Sequence, residues 1–302
     1  MKLLRFAIVS LFMVIVTIFI INEVSDHRMD EAPEPFPNNG VSSQDAAKDP
    51  SNPVLNADRE LSSNSEGVIS NSQAPTENLN SALIIFTFDD GNESDYVLAY
   101  SILKKYGIKG TSYISPYYSD HQVKHKLSWN QIKEMAADGW DFEDHTYSHI
   151  NMAKSAPEQI RQSMEQVNKA FTANGLKIPV ALAYPYGKFV RETIDIVKEY
   201  RAQARLAYYA DDFVDLSNVD LYRIPCVSAD MRTEERLKEK ERLVDKACSE
   251  NGIIVFRVHC LYRNEVDDMG KEVVQTSSKL FEKLVSHCVK KGCAFTTMNN
   301  FP

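Results

Sequence analysis

Two short runs of the sequence hold side chains that could bind a metal ion and perform hydrolysis. The first, TFDDG, contains the adjacent carboxylates Asp89 and Asp90. The second, HTYSH, contains His145 and His149. Two imidazoles and one carboxylate suit a catalytic zinc ion that keeps one position open for water. The remaining carboxylate can take a proton from that water, so the two runs predict a hydrolytic enzyme.

Each run alone also has an ordinary structural explanation. An Asp-Asp-Gly sequence after apolar residues is common in turns, and a four-residue His spacing places two rings on one face of a surface helix by chance. Their positions favour the metal site, because Asp89 and Asp90 follow the apolar run 82–88 and His145 follows the short run 140–143. Both runs predict strands, and ligands at the carboxyl ends of successive strands are typical of the active face of an α/β barrel.

Strand and helix signals alternate through residues 81–302 and predict about seven strand–helix pairs. Further strands are predicted at 178–184, at 205–209 and, interrupted by Pro225, at 221–227. The alternation indicates an α/β fold with parallel strands that close as a barrel.

With these motifs the sequence resembles the polysaccharide deacetylases that carry a NodB homology domain, carbohydrate esterase family 4. The family's first motif, T-F-D-D-G, matches residues 87–91, and its second, H-[ST]-x-x-H, matches His145, Thr146 and His149. The resemblance covers about residues 81–298. It implies an irregular (β/α) barrel with about seven parallel strands.

Three other motifs of the family are altered or missing. The third, usually R-x-P-[YFW]-G, reads A-Y-P-Y-G here, with Ala183 in place of the arginine. The last, L-x-H, reads R-V-H, with Arg257 in place of the leucine and His259 retained. The fourth, usually an Asp-Trp region, has no clear match, although Asp211 and Asp212 lie roughly there.

The resemblance implies a role for each candidate residue in the removal of an acetyl group. Asp90, His145 and His149 would hold a divalent metal, zinc by preference, with cobalt or nickel as alternatives that the same ligands accept. Asp89 would act as the base, and His259 would protonate the leaving amine.

Substrate contacts and products are implied in the same way. Pro185 and Tyr186 would bind the substrate, and the backbone N–H of Tyr186 would stabilise the oxyanion. The expected reaction hydrolyses N-acetyl groups of a cell-surface or extracellular polysaccharide of the N-acetylglucosamine type and releases acetate. The altered motifs leave two alternatives: a catalytically impaired surface glycan-binding protein, and an esterase or amidase that acts on acetylated xylan or a small molecule.

The missing arginine raises the question of which cation pairs with the base. In the family, the arginine of the third motif holds the base carboxylate in place, and Ala183 cannot. We predict that Arg257, which should share a strand face with His259, pairs with Asp89 or closes the substrate pocket. Arg223 is the second candidate. The alternative is that the strand ends early and Arg257 reaches solvent.

Residues 1–22 are predicted to be a signal anchor that spans the membrane. Lys2 and Arg5 precede an apolar run at 6–21, which as a helix would be about 24 Å long, slightly short of a bilayer core of about 30 Å. The two charges place the amino terminus in the cytoplasm and the rest of the chain outside. No small-x-small cleavage site follows Ile21, which favours an uncleaved anchor over a cleaved signal peptide.

Residues 23–80 are predicted to be a disordered acidic linker. They hold 6 of the 12 prolines and 11 acidic against 3 basic residues, a net charge of −8. The anchor adds +2, which leaves about −2 of the whole chain's −8 for the catalytic domain at 81–302. A domain without basic excess is not expected to bind nucleic acid.

All five cysteines lie in the predicted catalytic domain: Cys226, Cys248, Cys260, Cys288 and Cys293. Export would permit disulfides, and the odd count leaves at least one thiol free or paired with another chain. Unpaired core cysteines are equally compatible with the sequence.

Overall fold

A computed structural model describes residues 81–207, 213–214, 219–263 and 275–302 of the protein. The predicted anchor and linker lie outside these residues, and so do Asp211 and Asp212, near which the fourth motif of the family would be expected. Within this part of the chain, no helix is both long enough and apolar enough to cross a membrane.

A parallel eight-stranded sheet forms the centre of the domain. Its strand order is β5-β4-β3-β2-β1-β7-β6, and β10 pairs with the first half of β1. A separate two-stranded sheet contains β8 and β9. The strands of the described residues are β1 (Leu83–Phe88), β2 (Thr111–Ile114), β3 (Asp141–Asp144), β4 (Ala181–Ala183), β5 (Gln203–Arg205), β6 (Val227–Ser228), β7 (Ile253–Val258), β8 (Cys260–Tyr262), β9 (Gln275–Ser277) and β10 (Ala294–Thr296).

Helices connect most successive strands of the large sheet, as the alternation in the sequence predicts. A π-helical segment, Asp95–Tyr100, leads into the first α-helix. Ser128 caps the third helix by accepting from the backbone N–H of Gln131. The α-helices of the described residues are α1 (Ser101–Lys105), α2 (Pro116–Asp120), α3 (Trp129–Ala137), α4 (Pro157–Ala173), α5 (Arg191–Tyr200), α6 (Glu234–Glu250) and α7 (Ser278–Lys290).

The sheet curves into a half-barrel, and the full closure expected from the sequence is only partly realised. Between the edge strands, the described residues make one isolated parallel bridge, from Arg205 to Ile224. The strand predicted over 221–227 is wrong in its extent, because only Val227–Ser228 pair with β7. Pro225 has no N–H to offer a neighbouring strand and separates the two pairings.

Both faces of β1 are buried, as its continuous apolar sequence predicts. On the outer face, Phe86 and Phe88 contact Phe281 of α7 with ring centroids 5.3 and 5.9 Å apart. On the inner face, Ile85 belongs to the core of the half-barrel. Alternation along the strand carries this inner face on to Asp89. The packing therefore fixes the carboxyl end of β1, where the candidate site begins.

Candidate active site

Asp90, His145 and His149 come together at the carboxyl ends of β1 and β3. Oδ1 of Asp90 lies 3.3 Å from Nε2 of His145 and 3.2 Å from Nε2 of His149. The three ligand atoms all lie within 4.8 Å of one another. Two imidazole nitrogens and one carboxylate oxygen fit a divalent metal with an open coordination position. The three residues that the sequence singled out can therefore hold such an ion.

The backbone around these ligands adopts conformations that are costly for non-glycine residues. Asp90, Thr146, His149 and Tyr186 have φ angles of 73°, 62°, 58° and 58°, in the left-handed region. The two histidines therefore lie in a turn after β3 and not on one face of a helix. Such strain concentrates at functional sites, where the surrounding structure imposes it.

A backbone carbonyl orients the ring of His145. Nδ1 of His145 lies 2.8 Å from the carbonyl oxygen of Ala183, and because a carbonyl can only accept, this nitrogen carries the proton. Nε2 is then left to face Asp90. Burial alone would lower the pKa of His145, but the hydrogen bond to Asp90 raises it above its ordinary value. For His149, burial dominates and lowers the pKa despite the same carboxylate.

A buried ion pair supports the turn that carries the histidines. Nε and Nη2 of Arg201 lie 2.9 and 2.7 Å from Oδ2 of Asp144, and neither side chain is exposed. The other carboxylate oxygen of Asp144 accepts from the backbone N–H of Thr146. This pair fixes the backbone on either side of His145, and no sequence pattern predicted it.

The cation that pairs with Asp89 is Arg205, on β5. Nη2 of Arg205 donates to Oδ1 of Asp89, and both residues are buried. The same guanidinium donates through Nη1 to the carbonyl of Leu206 at 2.8 Å and to Sγ of Cys226 at 3.4 Å. It also lies over the ring of Tyr113, 4.8 Å from its centroid. Arg205 is therefore held on several sides while it holds Asp89.

The predicted pairing of Arg257 with Asp89 is wrong, and Arg223, the second candidate, does not pair with Asp89 either. Arg223 is half-exposed and lies 3.8 Å from Asp220. Arg257 is buried on β7, so the alternative in which this arginine reaches solvent is also wrong. Its charge adds to that of Arg205 in lowering the pKa of Asp89. A role for Arg257 in closing the substrate pocket stays a prediction.

Strand register explains how Arg205 replaces the missing arginine. Ala183 of β4 is paired directly with Arg205 of β5. The guanidinium therefore enters the interior from the strand next to the one that carries the family's arginine, at the same height along the sheet. Ala183 is small and leaves room for it. The signal available in the sequence was a charged residue inside a predicted barrel strand, where an unpaired charge is costly.

The pair keeps Asp89 ionised. Burial would raise the pKa of Asp89, but the charge of Arg205, followed by that of His145, outweighs burial and leaves the pKa below its ordinary value. Asp89 does not belong to the group of potential metal ligands. A carboxylate that is ionised beside such a group can accept a proton.

His259 follows β7 and is tied to the aspartate loop through its backbone. Nδ2 of Asn92 donates to the carbonyls of His259 at 2.8 Å and of Asp89 at 3.1 Å. Lys126 donates to Oδ1 of Asn92 at 2.9 Å and to the carbonyl of Asp90 at 3.2 Å. Neither Asn92 nor Lys126 was singled out from the sequence.

The ring of His259 is half-buried, and its Nδ1 has no hydrogen-bond partner among the described residues. Burial lowers the pKa of His259, although the charge of Asp89 acts in the opposite direction. The charges of both Asp89 and Asp90 act on this ring, so His259 lies beside the aspartate pair.

Pro185 and Tyr186 form the turn that follows β4. Pro185 is buried, whereas Tyr186 is 45% exposed, and its ring meets that of His149 edge-on with centroids 4.5 Å apart. The exposed ring therefore borders the ligand group, where a substrate would approach.

Residues 76–204 match the family model described as polysaccharide deacetylase. These residues belong to the polysaccharide deacetylase family. The match includes the aspartate and histidine motifs and ends one residue before Arg205.

Two curated relatives show how far the likeness extends. The Bacillus subtilis protein YxkH is 35% identical over 111 residues, which cover 37% of this chain and 39% of that protein. The poly-beta-1,6-N-acetyl-D-glucosamine N-deacetylase of Staphylococcus aureus strain MRSA252 is 31% identical over 150 residues, which cover 46% of this chain and 51% of that enzyme. The chain thus spans about half the length, or less, of these relatives.

Solved structures share the fold. A family 4 carbohydrate esterase from Streptomyces lividans, in complex with acetate, has a TM-score of 0.51 at 15% identity, and the likeness covers 71% of this chain and 92% of the esterase. A CE4 family pseudoenzyme from Bacillus anthracis has a TM-score of 0.52 at 15% identity, over 73% of this chain and 65% of that protein. At these identities the likeness shows only that this chain and the two proteins share the parallel half-barrel fold.

The Arg205→Met variant tests the buried pair. The substitution leaves Asp89 buried without its cation, so we expect a loss of about 3–5 kcal/mol in the free energy of unfolding. Urea denaturation followed by circular dichroism measures it. The matched control is Arg223→Met, which should change stability by less than about 0.5 kcal/mol because the pair it breaks is exposed. Equal stability of Arg205→Met and the wild type would refute the pairing.

The His149→Ala variant tests the ligand group. Calorimetric titration of the metal-free protein with zinc should show one site in the wild type. The affinity of the variant for zinc should fall by more than about 100-fold, because the loss of a residue that only supports a ligand already costs about 10- to 100-fold. His125→Ala, at a partly exposed histidine outside the group, should bind zinc as the wild type does. Undiminished binding by His149→Ala would remove it from the ligand set.

Proposed function

We propose that the protein is a metal-dependent N-deacetylase that releases acetate from a polysaccharide of the N-acetylglucosamine type. The observation that carries the proposal is a potential metal site with an ionised carboxylate, Asp89, held beside it by Arg205. The name of the Staphylococcus aureus relative, a poly-beta-1,6-N-acetyl-D-glucosamine N-deacetylase, supports this substrate class.

A divalent metal held by Asp90, His145 and His149, zinc by preference, would polarise the acetamido carbonyl and make water more acidic. Asp89 would take the proton of the attacking water, because Arg205 keeps it ionised when it is buried.

The remaining steps use groups on the neighbouring loops. His259 would donate a proton to the leaving amine, and because its pKa is lowered, its imidazolium would give up that proton readily. The backbone N–H of Tyr186 would stabilise the oxyanion, and the exposed ring of Tyr186 would contact the sugar.

The alternative of an impaired glycan-binding protein loses its main support, because Arg205 supplies the cation that the altered third motif lacks. An esterase or amidase that acts on acetylated xylan or a small molecule uses the same groups. The substrate panel below separates these functions.

Acetate release by the full chain tests the proposal. The substrates are poly-β-1,6-N-acetylglucosamine, chito-oligosaccharides, peptidoglycan and acetylated xylan. We expect acetate from at least one N-acetylated glycan, its loss after chelation and its return with added zinc. Acetate release from acetylated xylan alone would show that the protein is an esterase and not an N-deacetylase. No release from any substrate by zinc-loaded protein, or full activity after chelation, would contradict the proposal.

The Asp89→Asn variant separates the base from the ligands. Removing the proton acceptor should lower the rate by about 10² to 10⁴, the usual contribution of general acid–base catalysis. Metal content, measured by mass spectrometry, should stay the same. Asp138→Asn, at a partly exposed aspartate that pairs with Lys104 and Lys109, is the matched control and should keep both the rate and the metal content of the wild type. Loss of metal from Asp89→Asn would show that Asp89 is itself a ligand.

We also propose that residues 1–22 anchor the enzyme to the cell membrane with the catalytic domain outside. The support is the charged start, the apolar run and the absence of a cleavage site after Ile21. The full-length protein should sediment with membranes and resist extraction by high salt. A soluble form whose amino terminus lies between residues 22 and 40 would instead show that the segment is a cleaved signal peptide.

A further inference from the structure

Three of the five cysteine thiols lie together, away from the candidate active site. Sγ of Cys248, in the last turn of α6, is 3.4 Å from Sγ of Cys293, which directly precedes β10. Cys288, in the last turn of α7, adjoins Cys293, whose backbone N–H donates to the carbonyl of Cys288 at 3.1 Å. Because Ala294 is paired with Leu83, the cluster lies at the amino ends of the strands, opposite the metal ligands.

The three thiols differ in exposure. Cys288 is fully buried and Cys293 is 8% exposed, whereas Cys248 is half-buried and accessible to a small reagent. The neighbouring thiol of Cys288 lowers the pKa of the Cys293 thiol to about 7. Thiolates are the reactive form of cysteine, so the cluster contains one accessible thiol and one that ionises near neutral pH.

We propose that Cys248 and Cys293 form a disulfide bond when the protein meets a disulfide oxidant, and that Cys288 stays reduced. The two sulfur atoms are 3.4 Å apart, and an S–S bond of about 2.05 Å requires them to approach by about 1.4 Å. Rotation of the two short side chains covers this distance, since each thiol already faces the other. The bond joins the last turn of α6 to the start of β10.

The oxidant is a small or protein disulfide, RSSR. One thiolate of the pair attacks it, forms a mixed disulfide and expels one RS⁻, which takes up the proton that the attacking cysteine lost. The second thiolate attacks the cysteine sulfur of the mixed disulfide, forms the bond between Cys248 and Cys293 and expels the other RS⁻, which is protonated in turn. Two cysteine thiols are oxidised and RSSR is reduced to two RSH.

The bond would close a long loop. Cys248 and Cys293 are 45 positions apart, and the intervening chain contains β7, His259 and α7. Closing such a loop limits the conformations of the unfolded chain and raises the stability of the fold. The proposal depends on neither the deacetylase activity nor the metal.

Peptide mapping of the full-length protein tests it. The protein is incubated with oxidised glutathione at pH 8 and quenched with acid, its remaining thiols are alkylated, and its peptides are analysed by mass spectrometry. We expect the number of free thiols to fall from five to three and one cross-linked pair to contain Cys248 and Cys293. Dithiothreitol should restore five thiols and lower the melting temperature.

Variants supply the controls. Cys260→Ser and Cys288→Ser should still form the cross-link, whereas Cys248→Ser should lack it and show a melting temperature that dithiothreitol does not change. Five free thiols after oxidation of the folded wild type, glutathione adducts without a cross-link, or a bond between Cys288 and Cys293 would each overturn the proposal. Because the mapping uses the unaltered chain, a variant that fails to fold does not affect the result.

Discussion

The buried ion pair between Asp89 and Arg205 is the interaction on which the candidate site depends. An ionised carboxylate in the interior of a half-barrel is costly unless a cation compensates for its lost hydration. Arg205 supplies this charge and also sets the direction of the carboxylate. Without it, burial would favour the protonated acid, which cannot accept a proton from water. A functional base at this position therefore requires a buried arginine nearby.

The parallel sheet brings the groups together because every strand delivers its loop to the same edge. β1 presents the two aspartates, β3 the two histidines, β4 the turn with Tyr186, and β7 the single histidine His259. The backbone connects these loops as well, through the carbonyl of Ala183 on His145 and through Asn92 between β1 and β7. Such contacts leave each ligand few alternative orientations, as a preorganised metal site requires.

Local sequence patterns predicted the parts of the structure that local physics determines. The buried strand β1 follows from its apolar run, and the meeting of the two motifs follows from the geometry of parallel strands. Arg205 could not be found in this way, because it lies 116 positions from Asp89 and reaches it only through the register of β4 with β5. The broken strand at Pro225 and the strained turn after β3 likewise depend on contacts that no short pattern records.

A crystal structure of the zinc-loaded protein, with the metal located by anomalous scattering, tests the central claim most directly. The account predicts one zinc ion bound by Asp90, His145 and His149, while Asp89 remains paired with Arg205 outside the coordination sphere. Zinc bound at another place, or bound by the carboxylate of Asp89 with Arg205 turned away, would contradict it.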